Sequence, residues 1–162
     1  MKVVMEKITM MTQMGNNQID DINSSINRYL EIREHSKKEL INKLLKKSYH
    51  IEDILLCVEN FSKQKLQSDE RYAEDFVRVK FEAGKGPLFI RESLKSHQVD
   101  SEIISKSISL YSKEDWLNKA RSVIEKKVSS SKITREKLVS FLQYRGFPYD
   151  MIDQLLMEHV KS

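Results

Sequence analysis

The stretch "FEAGKGPLFIRESL", residues 81–94, sets two glycines around a lysine ahead of a helical pattern, a composition that could cradle a phosphate. A phosphate-binding loop of that type needs a preceding strand, the spacing GxxxxGK[ST] and backbone N–H groups aimed inward. No strand signal precedes Gly84, and Pro87 removes a donor just after Gly86. Gly84 instead suits the left-handed stop of one helix, and Gly86 with Pro87 suits the cap and first residue of the next. Lys85 is left exposed at the turn, free to meet an acidic partner.

Other chemistry is equally thin. His35, His50, His97 and His159 are scattered, with no HExxH and no Cys/His spacing, so no metal site is expected. They read as surface or helix-end residues. Cys57 lies between Leu56 and Val58 on an apolar helix without an obvious base, which describes a buried, inert thiol. The acidic pairs Asp20–Asp21 and Glu52–Asp53 stand at helix starts, where the helix dipole favours them over acid-base work. Trp116, close to Leu117 and Ala120, is a packing anchor. Met5, Met10, Met11 and Met14 offer an adaptable contact surface, and residues 1–18 read as a tail or short strand. With no catalytic constellation, the expectation is a non-enzyme without a cofactor.

Basic residues carry more. Lys37, Lys38, Lys43, Lys46 and Lys47 crowd one helix, and Arg78, Lys80, Lys85, Arg91 and Lys95 crowd the middle of the chain. Such runs commonly form a solvated face, yet an electropositive strip would also suit a polyanion or an acidic protein groove. Arg91 and Lys95 are four apart, and Lys85 sits at the turn introducing their helix, so the three are expected to act as one patch.

The elements that position these residues follow from composition. The 162 residues are 40% hydrophobic and 32% charged, with four glycines and two prolines, too few turn residues for a many-stranded sandwich or barrel. An all-α protein is expected. Net charge of +4 and a pI near 9.0 suit weak attraction to a polyanion without the dense basic face of a dedicated nucleic-acid binder. A single cysteine and the lack of a long apolar run predict a cytosolic, soluble protein that does not enter a membrane.

Capping signals mark the helix starts: Ser36 with Glu39, Ser112 with Asp115, Asp100, Thr134 and Pro148. They predict helices near 19–34, 36–47, 51–62, 69–83, 87–97, 101–110, 112–128, 134–145 and 149–160. Shifting the chain by 50 and then 48 residues aligns apolar columns without a gap: Leu40, Ile90 and Leu138, then Leu44, Leu94 and Leu142. Further columns are Tyr49, Val99 and Phe147, then Ile54, Ile104 and Ile152, then Val58, Ile108 and Leu156. Within each unit the pairs fall four apart on one face, with the middle column plugging the turn between two helices. The expectation is three tandem three-helix repeats, 19–63, 66–111 and 112–162, in an elongated, curved array.

"YLEIREHSKKELINKLLKKSY", residues 29–49, resembles the first-repeat signature of RecX regulatory proteins, in which R-E-H-S precedes E-L and an apolar helix. "SDERYAEDFVRVKFEAGKGPLFIRESLKSHQVDSEII" is similar to their second repeat and "KLVSFLQYRGFPYDMIDQLL" to their third. The glycine usual at the hairpin turn stands at Gly146 and is replaced by Ser48 and Gln98. The resemblance implies a monomeric, non-enzymatic modulator that lies in the groove of the RecA filament on DNA and restrains its growth, ATP hydrolysis and strand exchange. DNA is then met weakly or within the filament. By position, Arg33, Glu34, His35 and Ser36 match the first motif, and Arg71, Tyr72, Lys85, Gly86, Pro87 and Arg91 the second. The partner-binding set expected is Arg33, Lys37, Lys38, Lys43, Lys46, Lys47, Arg78, Lys85, Arg91 and Lys95. The other reading is a helical module acting directly on DNA, whose binding would fall more steeply with salt.

Overall fold

The computed structural model describes residues 2–130 and 132–160. Among them every regular element is an α-helix: α1 (Lys2–Ile32), α2 (Lys37–Leu45), α3 (Ile51–Lys63), α4 (Asp69–Glu82), α5 (Pro87–Ser96), α6 (Ser101–Ile108), α7 (Lys113–Ser130), α8 (Arg135–Tyr144) and α9 (Tyr149–Val160). The chain divides into two compact units, 1–72 and 73–162, with the division falling inside α4.

The helix starts are held by the predicted caps. Ser36 Oγ accepts from the Glu39 N–H at 3.1 Å while the Glu39 carboxylate takes the Ser36 N–H, a complete capping box. Asp115 accepts from both the N–H and the hydroxyl of Ser112, each at 2.7 Å, and Ser112 Oγ takes the Asp115 N–H in return. Asp100 accepts from the Glu102 N–H and Thr134 from the Lys137 N–H. Gly86 caps α5 with Pro87 in its first turn, where the missing N–H costs nothing.

Burial follows the columns. Every residue of the five is buried except Tyr49, which is half-buried. In the first unit Ile22 and Ile26 of α1 join Leu40, Leu44, Ile54, Cys57, Val58 and Phe61 in one apolar core. In the second, Phe81 stacks on Tyr111 with ring centroids 3.8 Å apart, and Trp116 meets both edge-on, the anchoring role expected of it.

The hairpin turns share one backbone conformation despite their different residues. Ser48 (φ 61°), Gln98 (φ 56°) and Gly146 (φ 92°) all occupy the left-handed region. In the second and third hairpins the closing bonds match as well. Val99 donates to the Leu94 carbonyl at 3.2 Å and Phe147 to the Leu142 carbonyl at 3.1 Å, so the middle-column residue is tied to its own helix.

The N-terminus differs from the expected tail or strand. Residues 2–18 continue α1 as helix. The segment is rich in Met, with Lys2, Lys7, Glu6, Gln13 and Gln18 beside it, good helix formers that propagate a helix already nucleated by the packed turns from Ile19 onward. Burial plays no part: Val3, Val4, Met5, Ile8, Met10, Met11 and Met14 are all exposed, and a Cβ on Gly15 would meet open space.

Candidate functional site

In the first unit, the Arg33-Glu34-His35-Ser36 motif forms a structural joint. Arg33 makes a two-pronged pair with Glu39 at 3.0 and 3.1 Å. Glu34 accepts from Arg71 Nε at 2.6 Å, and Arg71 also caps the carbonyls of Lys65 and Leu66. The His35 carbonyl accepts from the buried Gln67 amide at 3.1 Å, and the Lys37 N–H donates to Asp69 at 2.9 Å. Two helices and the α3–α4 connection are thereby pinned at one place.

His35 is only 1% exposed, which corrects the surface reading. Its Nδ1 donates to the Arg33 carbonyl at 3.0 Å and its Nε2 accepts from Lys43 Nζ at 2.8 Å, the pattern of a neutral imidazole. Burial pushes its pKa below the ordinary value, and the Arg33 and Lys43 charges push it the same way, against the opposing pull of the Arg33 carbonyl and Glu39. Burial alone would raise the Glu39 carboxyl, but the Arg33 pair outweighs it and holds the group low.

The cations of α2 separate into engaged and free groups. Lys43 and Lys47 lie over the Tyr29 ring, at 4.5 and 5.5 Å from its centroid. Lys47 and Arg28 converge on the buried Ser25 hydroxyl at 3.1 and 3.4 Å, so Arg28 joins a cluster whose sequence spacing did not reveal it. Lys37 pairs with Glu59 at 3.0 Å. Lys38 is half-buried, whereas Lys46 is exposed at the end of the helix.

In the second unit, Arg91 and Lys95 occupy one side of α5. Arg91 reaches the Ser105 hydroxyl at 3.3 Å and Lys95 pairs with Glu92 at 2.9 Å. Lys85, at the turn before α5, is held by aromatic rings. Its ammonium lies 4.5 Å from the centre of Phe89 and 5.7 Å from that of Tyr144. Phe89 and Arg91 are two positions apart and leave the helix on opposite sides. The two rings hold the Lys85 ammonium on the Phe89 side of α5. Arg78 pairs with Asp75 at 2.7 Å, and Lys80 lies over Phe76.

The remaining candidates fit non-catalytic places. Cys57 is buried and its thiol is pushed up by burial, with Asp53 adding to the effect. His50 precedes α3 without capping it, and His97 ends α5 edge-on to Phe76. The His159 side chain lies outside the described residues. No helix among the described residues is long and apolar enough to cross a membrane.

The glycines of the opening stretch serve architecture. Gly84 (φ 74°) ends α4 in the left-handed conformation, with the Lys85 N–H returning to the Lys80 carbonyl at 2.9 Å. Gly86 donates to the Arg145 carbonyl at 2.7 Å and Leu88 to the Gly146 carbonyl at 3.0 Å. Arg145 answers by donating to the carbonyls of Ala83 and Gly84, each at 3.1 Å.

Comparison with known proteins agrees with this architecture. Residues 68–108 match the family model described as RecX, second three-helix domain, and residues 113–156 match RecX, third three-helix domain. The chain is 36% identical to the regulatory protein RecX of Legionella pneumophila (strain Corby) over 141 residues, which cover 83% of this chain and 91% of that one. It is 36% identical to the regulatory protein RecX of Acinetobacter baylyi over 124 residues, 74% of this chain and 76% of the relative. The crystal structure of RecX from Lactobacillus salivarius superimposes with a TM-score of 0.76 at 26% identity, covering 88% of this chain and 97% of that one. The chain belongs to the RecX family of regulatory proteins.

Proposed function

We propose that this chain regulates a RecA-type recombinase by lying in the groove of its filament on DNA, where it restrains filament growth, ATP hydrolysis and strand exchange. It does so as a three-repeat, non-enzymatic cytoplasmic protein, its partners being the recombinase and, within the filament, DNA. The observation that carries the reading is family membership over most of the chain. The surface is compatible with it. Arg91 and Lys95 stand together on α5, and Arg28, Lys43 and Lys47 gather around Ser25 and Tyr29, giving each unit a cationic face suited to an acidic protein groove.

The test is recombinase ATP hydrolysis on single-stranded DNA against rising concentrations of the chain and of an Arg91→Glu/Lys95→Glu variant. The wild type should inhibit, and the variant should need at least about tenfold more protein, since reversing two partly desolvated charges opposes the contact it replaces. A folded variant that inhibits at the wild-type concentration removes this face from the mechanism.

A further inference from the structure

The second unit holds a further group of cations, in a cleft of about 330 Å³ between the end of α4, α7 and the end of α8. Positions 119, 122, 126 and 130 of α7 fall on one helical face, and this places Lys119, Ser122 and Lys126 along one wall. Arg145, the C-cap of α8, and Lys127 add two more cations to the lining. Four cations face a single carboxylate, that of Glu82, which is paired with Lys119 at 3.0 Å.

Three of the four cations are held in place rather than waving in solvent. Lys119 lies 4.5 Å from the centre of Phe81, Lys127 lies 5.3 Å and Arg145 4.9 Å from that of Phe141, and Arg145 is further fixed by the Ala83 and Gly84 carbonyls. The Phe141 ring of α8 therefore orders one ammonium and one guanidinium group of the lining. The Lys126 ammonium and the Ser122 hydroxyl carry no hydrogen bond to any described residue, so their donors stay available. Preordered charge beside free donors lowers the entropic cost of holding an anion.

We propose that this cleft is a phosphoryl-binding site: Lys126 and Ser122 donate directly to the phosphoryl oxygens, while Lys119, Lys127 and Arg145 supply the field around them. The volume falls within the range of small-ligand pockets and has room for a diphosphate. The phosphoryl group is carried either by a nucleic-acid backbone or by a free di- or triphosphate, which share this chemistry. The site concerns the isolated chain and does not depend on recombinase binding.

The experiment is amide NMR of the full chain, following Gly84, Ser122 and Lys126, during titration with inorganic pyrophosphate and separately with a short oligothymidylate. Pyrophosphate should shift these three amides together. Lys126→Glu, an exposed change on a helix surface, should weaken binding by about tenfold, and Ser122→Asp should do likewise while keeping the lysine. Lys106→Glu, on α6 outside the cleft, should leave it unchanged. If the oligothymidylate moves the same amides and displaces pyrophosphate, with the salt slope of log K reduced by about one in the Lys126→Glu variant, the source is a strand backbone. If pyrophosphate alone binds, the source is a free phosphate ester. Amides unmoved by either probe, or moved equally in the Lys126→Glu variant, overturn the proposal. Recombinase is absent throughout, so none of these outcomes depends on the filament reading.

Discussion

The backbones of Gly86 and Gly146 touch: a Cβ built on Gly86 would stand 2.4 Å from the carbonyl carbon and oxygen of Gly146. The two N–H donors from Gly86 and Leu88 into the 145–146 carbonyls require this approach, and no side chain fits between. The turn before α5 is thus clamped to the turn after α8.

Gly86→Ala should therefore cost about 3 kcal/mol of unfolding free energy, because backbone rather than a yielding side chain meets the new methyl. Gly15→Ala is the counterpart. It lies mid-helix in open space and should stabilise by about 1 kcal/mol. Denaturant titration of both variants checks the pair. A Gly86→Ala protein as stable as the parent would mean that the clamp does not persist in solution.

The hairpin turns carry an opposite prediction. Gln98 pays a steric penalty in the left-handed region that Gly146 avoids at the equivalent place. Gln98→Gly should stabilise the chain by about 1 kcal/mol, even after the greater flexibility of the unfolded glycine is counted. A destabilised variant would show that the Gln98 side chain has a compensating contact.

Much of this was legible from residue types because local rules decide it. The Leu40, Ile54 and Val58 columns are buried since a period of three to four puts them on one face, and Ser36 and Ser112 cap because their partners lie three residues on. The helix over residues 2–18 was not legible. Its apolar residues mark no buried face, so propensity and continuation of α1 decide the outcome. The ring contacts of Lys85 are hidden for a related reason. The ring that draws it, Tyr144, is far away in sequence. Arg145 reaches carbonyls 61 and 62 positions away, and a pairing of that span leaves no trace in local spacing.

The joint around His35 gives a pH dependence. The folded pKa lies below the ordinary value of 6.5, so between the two the unfolded chain holds a proton that the folded chain lacks, and stability rises with pH. The contribution is complete above about pH 6.5 and is lost as pH falls from there towards the lowered value, with a slope of at most about 1.4 kcal/mol per pH unit. Thermal unfolding between pH 7 and 5 should show the slope in the parent and a shallower one in His35→Gln. Glu39 acts in a lower window, below its ordinary 4.5, and does not overlap. Identical slopes would remove His35 from the pH response.

Gln67 reports on the same joint. It is 1% exposed, and its amide is the donor to the His35 carbonyl and to Asp69. Gln67→Met keeps the volume but leaves that carbonyl buried without its partner, and should cost about 2 kcal/mol in chemical denaturation. A neutral result would mean that the α2 start is held by the Ser36 box alone.

The measurement that bears most directly on the proposed role is co-sedimentation with nucleotide-bound RecA filaments assembled on DNA, with an equal amount of bare DNA as control. The chain should pellet with the filament well above the bare-DNA level, and Arg91→Glu/Lys95→Glu should lower this by at least about tenfold in affinity. Equal pelleting with bare DNA and with filament, with no gain from the recombinase, would contradict it.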